Sequence, residues 1–98
     1  MRESALIKQI LDHVKKLRLG GVKIKAMKIH GSMYQESGTP DVHVTYKGRS
    51  YWIEAKVGKN KPTMIQLLRI KEWQEAGAVA GVVYSIEEFV ELLTNAPP

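Results

Sequence analysis

Apolar residues recur at helical spacing near the start of the chain. The positions of this stripe are Leu6, Ile10, Val14 and Leu17. Polar residues such as Lys8, Asp12 and Lys16 occupy the opposite side. This pattern predicts an amphipathic helix over residues 3–18, which Gly20-Gly21 ends.

Three β-rich segments follow this helix. The first covers Val22–His30, and a loop from His30 to Thr39 separates it from the second, Asp41–Tyr46. The third, Tyr51–Val57, comes after the residues KGRS, in which Gly48-Arg49 suits a two-residue type II′ turn with glycine first. The second and third segments are therefore predicted to form a β-hairpin.

The rest of the chain alternates helix, strand and helix. A helix is predicted from about Thr63 to Ala76, and Gly77 ends it. The apolar run Ala78–Tyr84 is typical of a strand buried on both faces, and Ser85 is placed to cap a last helix. The unit from the third strand to the fourth has the length of a βαβ crossover, so these two strands should be parallel. The predicted fold class is α/β with a mixed sheet.

The hairpin gathers charged residues on one face. With Gly48-Arg49 as the turn, residues whose numbers sum to 97 are opposite, so Asp41 faces Lys56 and His43 faces Glu54. All four side chains then project from one side, because side chains alternate along a strand. The other face is apolar, with Val42, Val44, Tyr46, Ile53, Ala55 and Val57.

These charges need partners, because desolvating an unpaired charge is costly. In this register Asp41 and Glu54 are diagonal neighbours, with Cβ atoms roughly 7 to 8 Å apart or less. Two carboxylates at that separation can bind one cation. Glu3 falls in the centre of the first helix's apolar stripe and should point toward the sheet, while Gln66 shares a helix face with Ile70 and Trp73.

Composition narrows the classes of protein. Ninety-eight residues with 44% apolar composition predict one compact domain, residues 1–98. The absence of cysteine excludes disulfides and thiolate metal sites, and no signal peptide or membrane-spanning run is apparent, so a cytoplasmic protein is expected. The net charge of +5 favours a polyanionic partner.

The spacing of the charged residues resembles a known nuclease signature. Pro40-Asp41, a twelve-residue gap and then Glu54-Ala55-Lys56 look like the PD-(D/E)XK motif. The chain is most similar to the VRR-NUC family, in which a helical Glu precedes the motif, a Gly stands just before Pro-Asp and a Gln opens the next helix. The matching residues here are Glu3, Gly38, Asp41, Glu54, Lys56 and Gln66.

The resemblance implies a restriction-endonuclease-like core in the order α-β-β-β-α-β-α, with a mixed central sheet flanked by helices. It implies Mg²⁺ or Mn²⁺ bound by Asp41, Glu54 and the carbonyl of Ala55, with Glu3, Lys56 and Gln66 completing the catalytic set. The implied activity is a DNA endonuclease acting on structured or branched DNA, such as four-way (Holliday) junctions, and stand-alone members imply a homodimer.

Other residues are candidates for contacts with DNA or with a second copy. Lys59 and Lys61 beside the motif, and Tyr34 in the preceding loop, are candidate nucleic-acid contacts. Met64 and Leu68 lie away from the helix stripe of Leu67, Ile70 and Trp73, and suit a helix-mediated contact between copies.

Four other interpretations stay open, two of them structural and two functional. Asp41 and Lys56 can form a purely structural ion pair, and His43, Trp52 and Trp73 can be half-buried core residues. A catalytically inactive nucleic-acid-binding module on the same fold is the main alternative function. A small acid/base hydrolase without nucleic acid fits the basic charge poorly.

Overall fold

The computed structural model describes residues 1–31 and 36–96. Within these ranges the elements are α1 Glu3–Leu19, β1 Ile24–Lys28, β2 Val42–Tyr46, β3 Arg49–Ala55, α2 Met64–Glu75, β4 Val79–Val83 and α3 Ile86–Asn95. The predicted order α-β-β-β-α-β-α is confirmed. The strands are shorter than predicted at most of their ends, and the first covers only five of the nine residues expected of it.

The sheet has the order β1-β2-β3-β4. β2 is antiparallel to both of its neighbours, β1 and β3, and β4 is parallel to β3 as the crossover length predicted. Apolar side chains of α1 and α3 pack with one face of this sheet, because each presents an apolar stripe that must leave water. The fully buried members of this core include Leu6, Ile10, Val42, Val44, Ile53 and Phe89.

α2 lies on the opposite face and packs on β3 and β4. Trp73 of this helix stacks on Trp52 of β3, with ring centroids 4.0 Å apart. Ile70 is buried, but Leu67, which the sequence placed on the same inward stripe, is 45% exposed. This prediction was wrong because α2 contacts the sheet along a narrower line than its apolar positions suggested. None of the helices in the described ranges has the length and apolar character needed to cross a bilayer.

The predicted hairpin turn is also wrong, by one residue. The turn residues are Lys47 and Gly48, both with positive φ (52° and 78°), as a type I′ turn requires. Tyr46 therefore pairs with Arg49, and opposite residues sum to 95 rather than 97. This shift moves each partner by two positions, so every side chain keeps its predicted face while its neighbour across the hairpin changes.

Candidate active site

The corrected register brings the two motif carboxylates directly opposite each other. Asp41 immediately precedes β2, and extending the pairing by one residue sets it across from Glu54 rather than from Lys56. Asp41 is held at both ends: its Oδ2 accepts a hydrogen bond from the Ala55 N–H at 3.0 Å, and its carbonyl accepts one from the Ile29 N–H at 2.7 Å. The β1–β2–β3 ladder thus fixes the position of this carboxylate.

Glu54 is a buried acid beside a second acid. Its residue is only 2% exposed, and this burial, followed by a hydrogen bond to Asp41 and the charge of Asp41, raises the pKa of Glu54 to about 8. Lys56 opposes the shift, but does not cancel it. The Oε1 atom of Glu54 is buried and has no hydrogen-bond partner within the described residues. A buried carboxylate oxygen without a partner is costly, and a cation or a proton would reduce that cost.

Lys56 lies between two carboxylates. Its Nζ atom is 3.8 Å from Glu54 Oε2 and 3.9 Å from Glu3 Oε1, and its side chain is only 11% exposed. The sequence left open a structural ion pair between Lys56 and Asp41. The ion pairs described for Lys56 are instead with Glu54 and Glu3, because the register moves Asp41 away from the position opposite the lysine. These contacts hold the ammonium group of Lys56 beside the carboxylates of Glu54 and Glu3.

Gln66 connects α2 to the site. Thr63 and Gln66 form a capping box: the Gln66 N–H donates to Thr63 Oγ1 at 3.2 Å, and Gln66 Oε1 accepts from the Thr63 N–H at 2.9 Å. The amide Nε2 of the same side chain donates to Glu54 Oε2 at 3.4 Å. The sequence Thr63-Met-Ile-Gln66 carries this capping-box signal. The capping box at the start of α2 therefore orients the side-chain amide of Gln66.

Glu3 reaches the site from the first turn of α1, as its position in the apolar stripe predicted. Its Oε2 accepts a hydrogen bond from Asn60 Nδ2 at 3.1 Å, and the Asn60 carbonyl accepts one from the Tyr84 hydroxyl at 2.9 Å. Sequence reasoning missed Asn60 and Tyr84, because no local pattern indicates a contact across 57 positions of the chain. Lys59 and Lys61 flank Asn60 and are exposed beside the site.

Gly38 sits where the chain passes closely over the start of α2. Its φ is +81°, and a Cβ atom there would lie 2.9 Å from the backbone carbon and oxygen of Ile65. Only glycine combines that φ with that approach at little cost. This close passage sets the loop that leads to Asp41 against the turn of α2 that carries Gln66.

Three aromatic side chains, His43, Trp52 and Trp73, lie on the same face of the sheet as Asp41 and Glu54. His43 lies 4.5 Å from Trp52 between ring centroids, and its Nε2 is 3.0 Å from Ser50 Oγ. Burial lowers the pKa of His43. His43, Trp52 and Trp73 are half-buried, as the core interpretation predicted, and no described contact joins His43 to the carboxylates.

The donor atoms suit a hard divalent ion. No group of three or more His, Asp or Glu side chains that could together hold a metal occurs in residues 1–31 and 36–96. The available ligands are two carboxylates, Asp41 and Glu54, and Mg²⁺ commonly uses one or two carboxylates together with water and substrate phosphate. The partnerless Glu54 Oε1 provides an unused oxygen, so the residues fit such an ion.

The remaining predicted site residue, Tyr34, lies outside the described residues. The catalytic and binding roles assigned to the other residues stay predictions. What the fold brings together is Glu3, Asp41, Glu54, Lys56 and Gln66, linked by the contacts above.

Comparison with known proteins supports the fold. No family model matches the sequence, and a search of curated proteins found no match. A solved structure titled "VRR_NUC domain" superposes with a TM-score of 0.72 at 21% sequence identity, covering 99% of this chain and 100% of that one. The chain therefore has the fold of that VRR_NUC domain, in agreement with the resemblance found in its sequence.

Proposed function

We propose that this chain, which shares its fold with a VRR_NUC domain, is a metal-dependent DNA endonuclease. The observation that carries the proposal is the buried Glu54, whose carboxyl lies against Asp41 and beside Lys56, with one oxygen lacking a partner. Such an arrangement is unfavourable for stability alone, since it combines desolvation with repulsion between acids. A divalent cation would relieve both.

Asp41, Glu54 and the carbonyl oxygen of Ala55 are the ligands that would hold Mg²⁺ or Mn²⁺. Such an ion would supply a Lewis acid for a phosphodiester oxygen and would lower the pKa of a water molecule bound to it. The Ala55 N–H bond to Asp41 and the Gln66 amide bond to Glu54 orient the two carboxylates. Preorganisation of this kind lowers the cost of binding the ion and the substrate phosphate.

Lys56 carries a positive charge that can stabilise the negative charge developing on the phosphate during hydrolysis. The reaction we propose is attack of a water oxygen on phosphorus with cleavage of the P–O3′ bond. Its products are a 5′-phosphate and a 3′-hydroxyl: the water loses a proton to solvent and the leaving oxygen gains one. The contacts of the Lys56 ammonium with Glu3 and Glu54 support a role for this group in stabilising the pentavalent phosphate or the attacking water.

Substitution of the ligands tests this chemistry. Asp41→Ala and Glu54→Ala should each abolish cleavage while leaving DNA binding largely intact, because the basic surface is unchanged. The matched control is Glu75→Gln, which alters an exposed acid on α2. If either ligand variant cuts DNA at the wild-type rate in the presence of Mg²⁺ or Mn²⁺, the proposed metal site is refuted. DNA binding without cleavage by the wild type would support the alternative, an inactive binding module.

The proposed substrate is structured or branched DNA. The support is the resemblance to stand-alone VRR-NUC proteins together with the net charge of +5. The purified protein is incubated with four-way junction, flap, duplex and single-stranded DNA, each with Mg²⁺, Mn²⁺ or chelator. Faster cleavage of the junction than of the duplex is expected, and equal rates would refute the preference for branched DNA.

The proposed assembly is a homodimer, because paired cuts in opposite strands of a junction require two sites related by a two-fold axis. An exposed apolar surface on α2 supports it: Met64 is 85% exposed and Leu68 47%, with Ile65 and Leu67 beside them. Exposed apolar residues at this density mark interaction sites. Light scattering should give about twice the monomer mass, and Met64→Glu with Leu68→Glu should give the monomer. A wild type that is monomeric at micromolar concentration would exclude this assembly.

A further inference from the structure

One half of the sheet's site-bearing face has no helix on it among the described residues. α2 packs on β3 and β4, while β1 and β2 on this face carry exposed side chains. The pairing sets Lys25 opposite Thr45 and Met27 opposite His43, and all four project from the same face as Asp41. Lys25 and Thr45 are exposed, and Met27 is 56% exposed. We call this surface, made of Lys25, Met27, His43 and Thr45, the open face.

The charge of the open face favours nucleic acid over a second protein. Its one formally charged side chain is Lys25, and Lys23, which precedes β1, is exposed next to it. The nearest carboxylate along β2 is Asp41, which belongs to the proposed metal site. A two-fold related copy placed on this face would bring identical lysines together, and Met27 alone offers little apolar area to compensate. A phosphate backbone would instead be attracted.

The open face runs directly into the acidic site. β2 leads from Thr45 through His43 to Asp41, a distance of roughly 13 Å at about 3.3 Å per residue. A DNA strand advances about 3.4 Å per nucleotide along its axis while also turning around it. A strand with one phosphate at Asp41 and Glu54 would therefore carry a phosphate roughly two to four nucleotides away within reach of Lys25.

We propose that the open face binds the DNA segment next to the scissile phosphate, with Lys25 contacting a backbone phosphate and Met27 and His43 lying under the sugar and base. This inference rests on the proposed nuclease function and adds the position of the substrate. It assigns DNA contacts to residues on β1 and β2. These contacts are distinct from those proposed for Lys59 and Lys61, which lie in the segment that follows β3.

Binding in chelator tests the surface without requiring cleavage. Anisotropy with a fluorescent duplex of about 20 base pairs gives the dissociation constant at several salt concentrations. Lys25→Ala should weaken binding roughly three- to tenfold and reduce the salt slope by about 0.9, the loss of one phosphate contact. Lys16→Ala is the matched control, because it removes the same charge from an exposed position on α1, across the sheet, and should leave both quantities unchanged. Equal melting temperatures establish that both variants are folded.

Cleavage of DNA with a single neutral methylphosphonate locates the contact. The wild type should cut less at sites two to four nucleotides to one side of the modification, because those cuts place the neutral linkage at Lys25. Lys25→Ala should cut at a lower overall rate without that local depletion, whereas Lys16→Ala should retain it.

The outcomes separate this inference from the proposed function. A wild type that cuts DNA, with Lys25→Ala indistinguishable from Lys16→Ala in both assays, would overturn the open face and leave the nuclease intact. If the wild type never cuts DNA but Lys25→Ala binds DNA more weakly than the wild type does, the open face would be supported and the nuclease function refuted. Lys25→Ala that changes oligomeric mass rather than DNA affinity would assign the face to a second copy and overturn the proposal.

Discussion

Replacing Glu54 by Gln should stabilise the metal-free protein at neutral and alkaline pH. Glu54 is buried against Asp41, and its pKa is raised from 4.5 to about 8. The folded state therefore binds the Glu54 proton more tightly than the unfolded state does. The associated stability is fully present below about pH 4.5 and is lost progressively as the pH rises to about 8.

The size of the loss follows from the shift. Each pKa unit corresponds to about 1.4 kcal/mol, so ionising Glu54 in the folded protein costs on the order of 4 to 5 kcal/mol by pH 8. At pH 5 the cost is below about 1 kcal/mol, since most of the titration lies above that pH. Gln cannot ionise, and its amide retains hydrogen-bonding capacity toward Asp41. The difference in unfolding free energy between variant and wild type should grow by about 3 to 4 kcal/mol between pH 5 and pH 8.

Urea unfolding in chelator at pH 5, 6, 7 and 8 measures this difference. Glu75→Gln, at an exposed position on α2, serves as the control and should follow the wild-type curve. Curves for wild type and Glu54→Gln that stay parallel across this range would refute the argument, because they would mean that Glu54 titrates alike in the folded and unfolded states. Saturating Mn²⁺ should narrow the gap at pH 8 by stabilising only the wild type.

Three further predictions follow from the same contacts. The apparent affinity of the wild type for Mn²⁺, measured by calorimetry, should rise up to about tenfold per pH unit from pH 6 to 8, since Glu54 must lose its proton to bind; a flat profile would contradict this. Asp41→Asn should match or raise the melting temperature in chelator and lose the stabilisation by divalent ions, whereas a clear drop in chelator would indicate a structural role for the Asp41 charge. Gly38→Ala should lower the unfolding free energy by roughly 1 to 3 kcal/mol, because Gly38 has a positive φ and the Ile65 backbone lies close to it. Gly31→Ala is the control, since no atom lies near the Cβ position of Gly31. Equal stabilities of the two variants would contradict the close passage at Gly38.

Local sequence determined the elements and the faces of this protein. The apolar stripe of α1, the run Ala78–Tyr84 and the Ser85 cap each carry their own periodic or end signal, so their type and order were predictable. The side chains of Asp41 and Glu54 were assigned to the same face for an equally local reason, the two-residue period of a strand. The resemblance to VRR-NUC proteins then depended on that spacing and agrees with the observed fold.

Tertiary structure decided which residues of a face meet. A register shifted by two leaves the pattern of buried and exposed positions unchanged, so hydrophobicity could not distinguish Asp41 opposite Lys56 from Asp41 opposite Glu54. The choice came from the turn, where Lys47 and Gly48 both adopt positive φ. The Glu3–Asn60 contact, which joins distant parts of the chain, likewise has no signal in either segment alone. A strand period fixes the side on which a charge lies, whereas its partner depends on backbone geometry and on long-range packing.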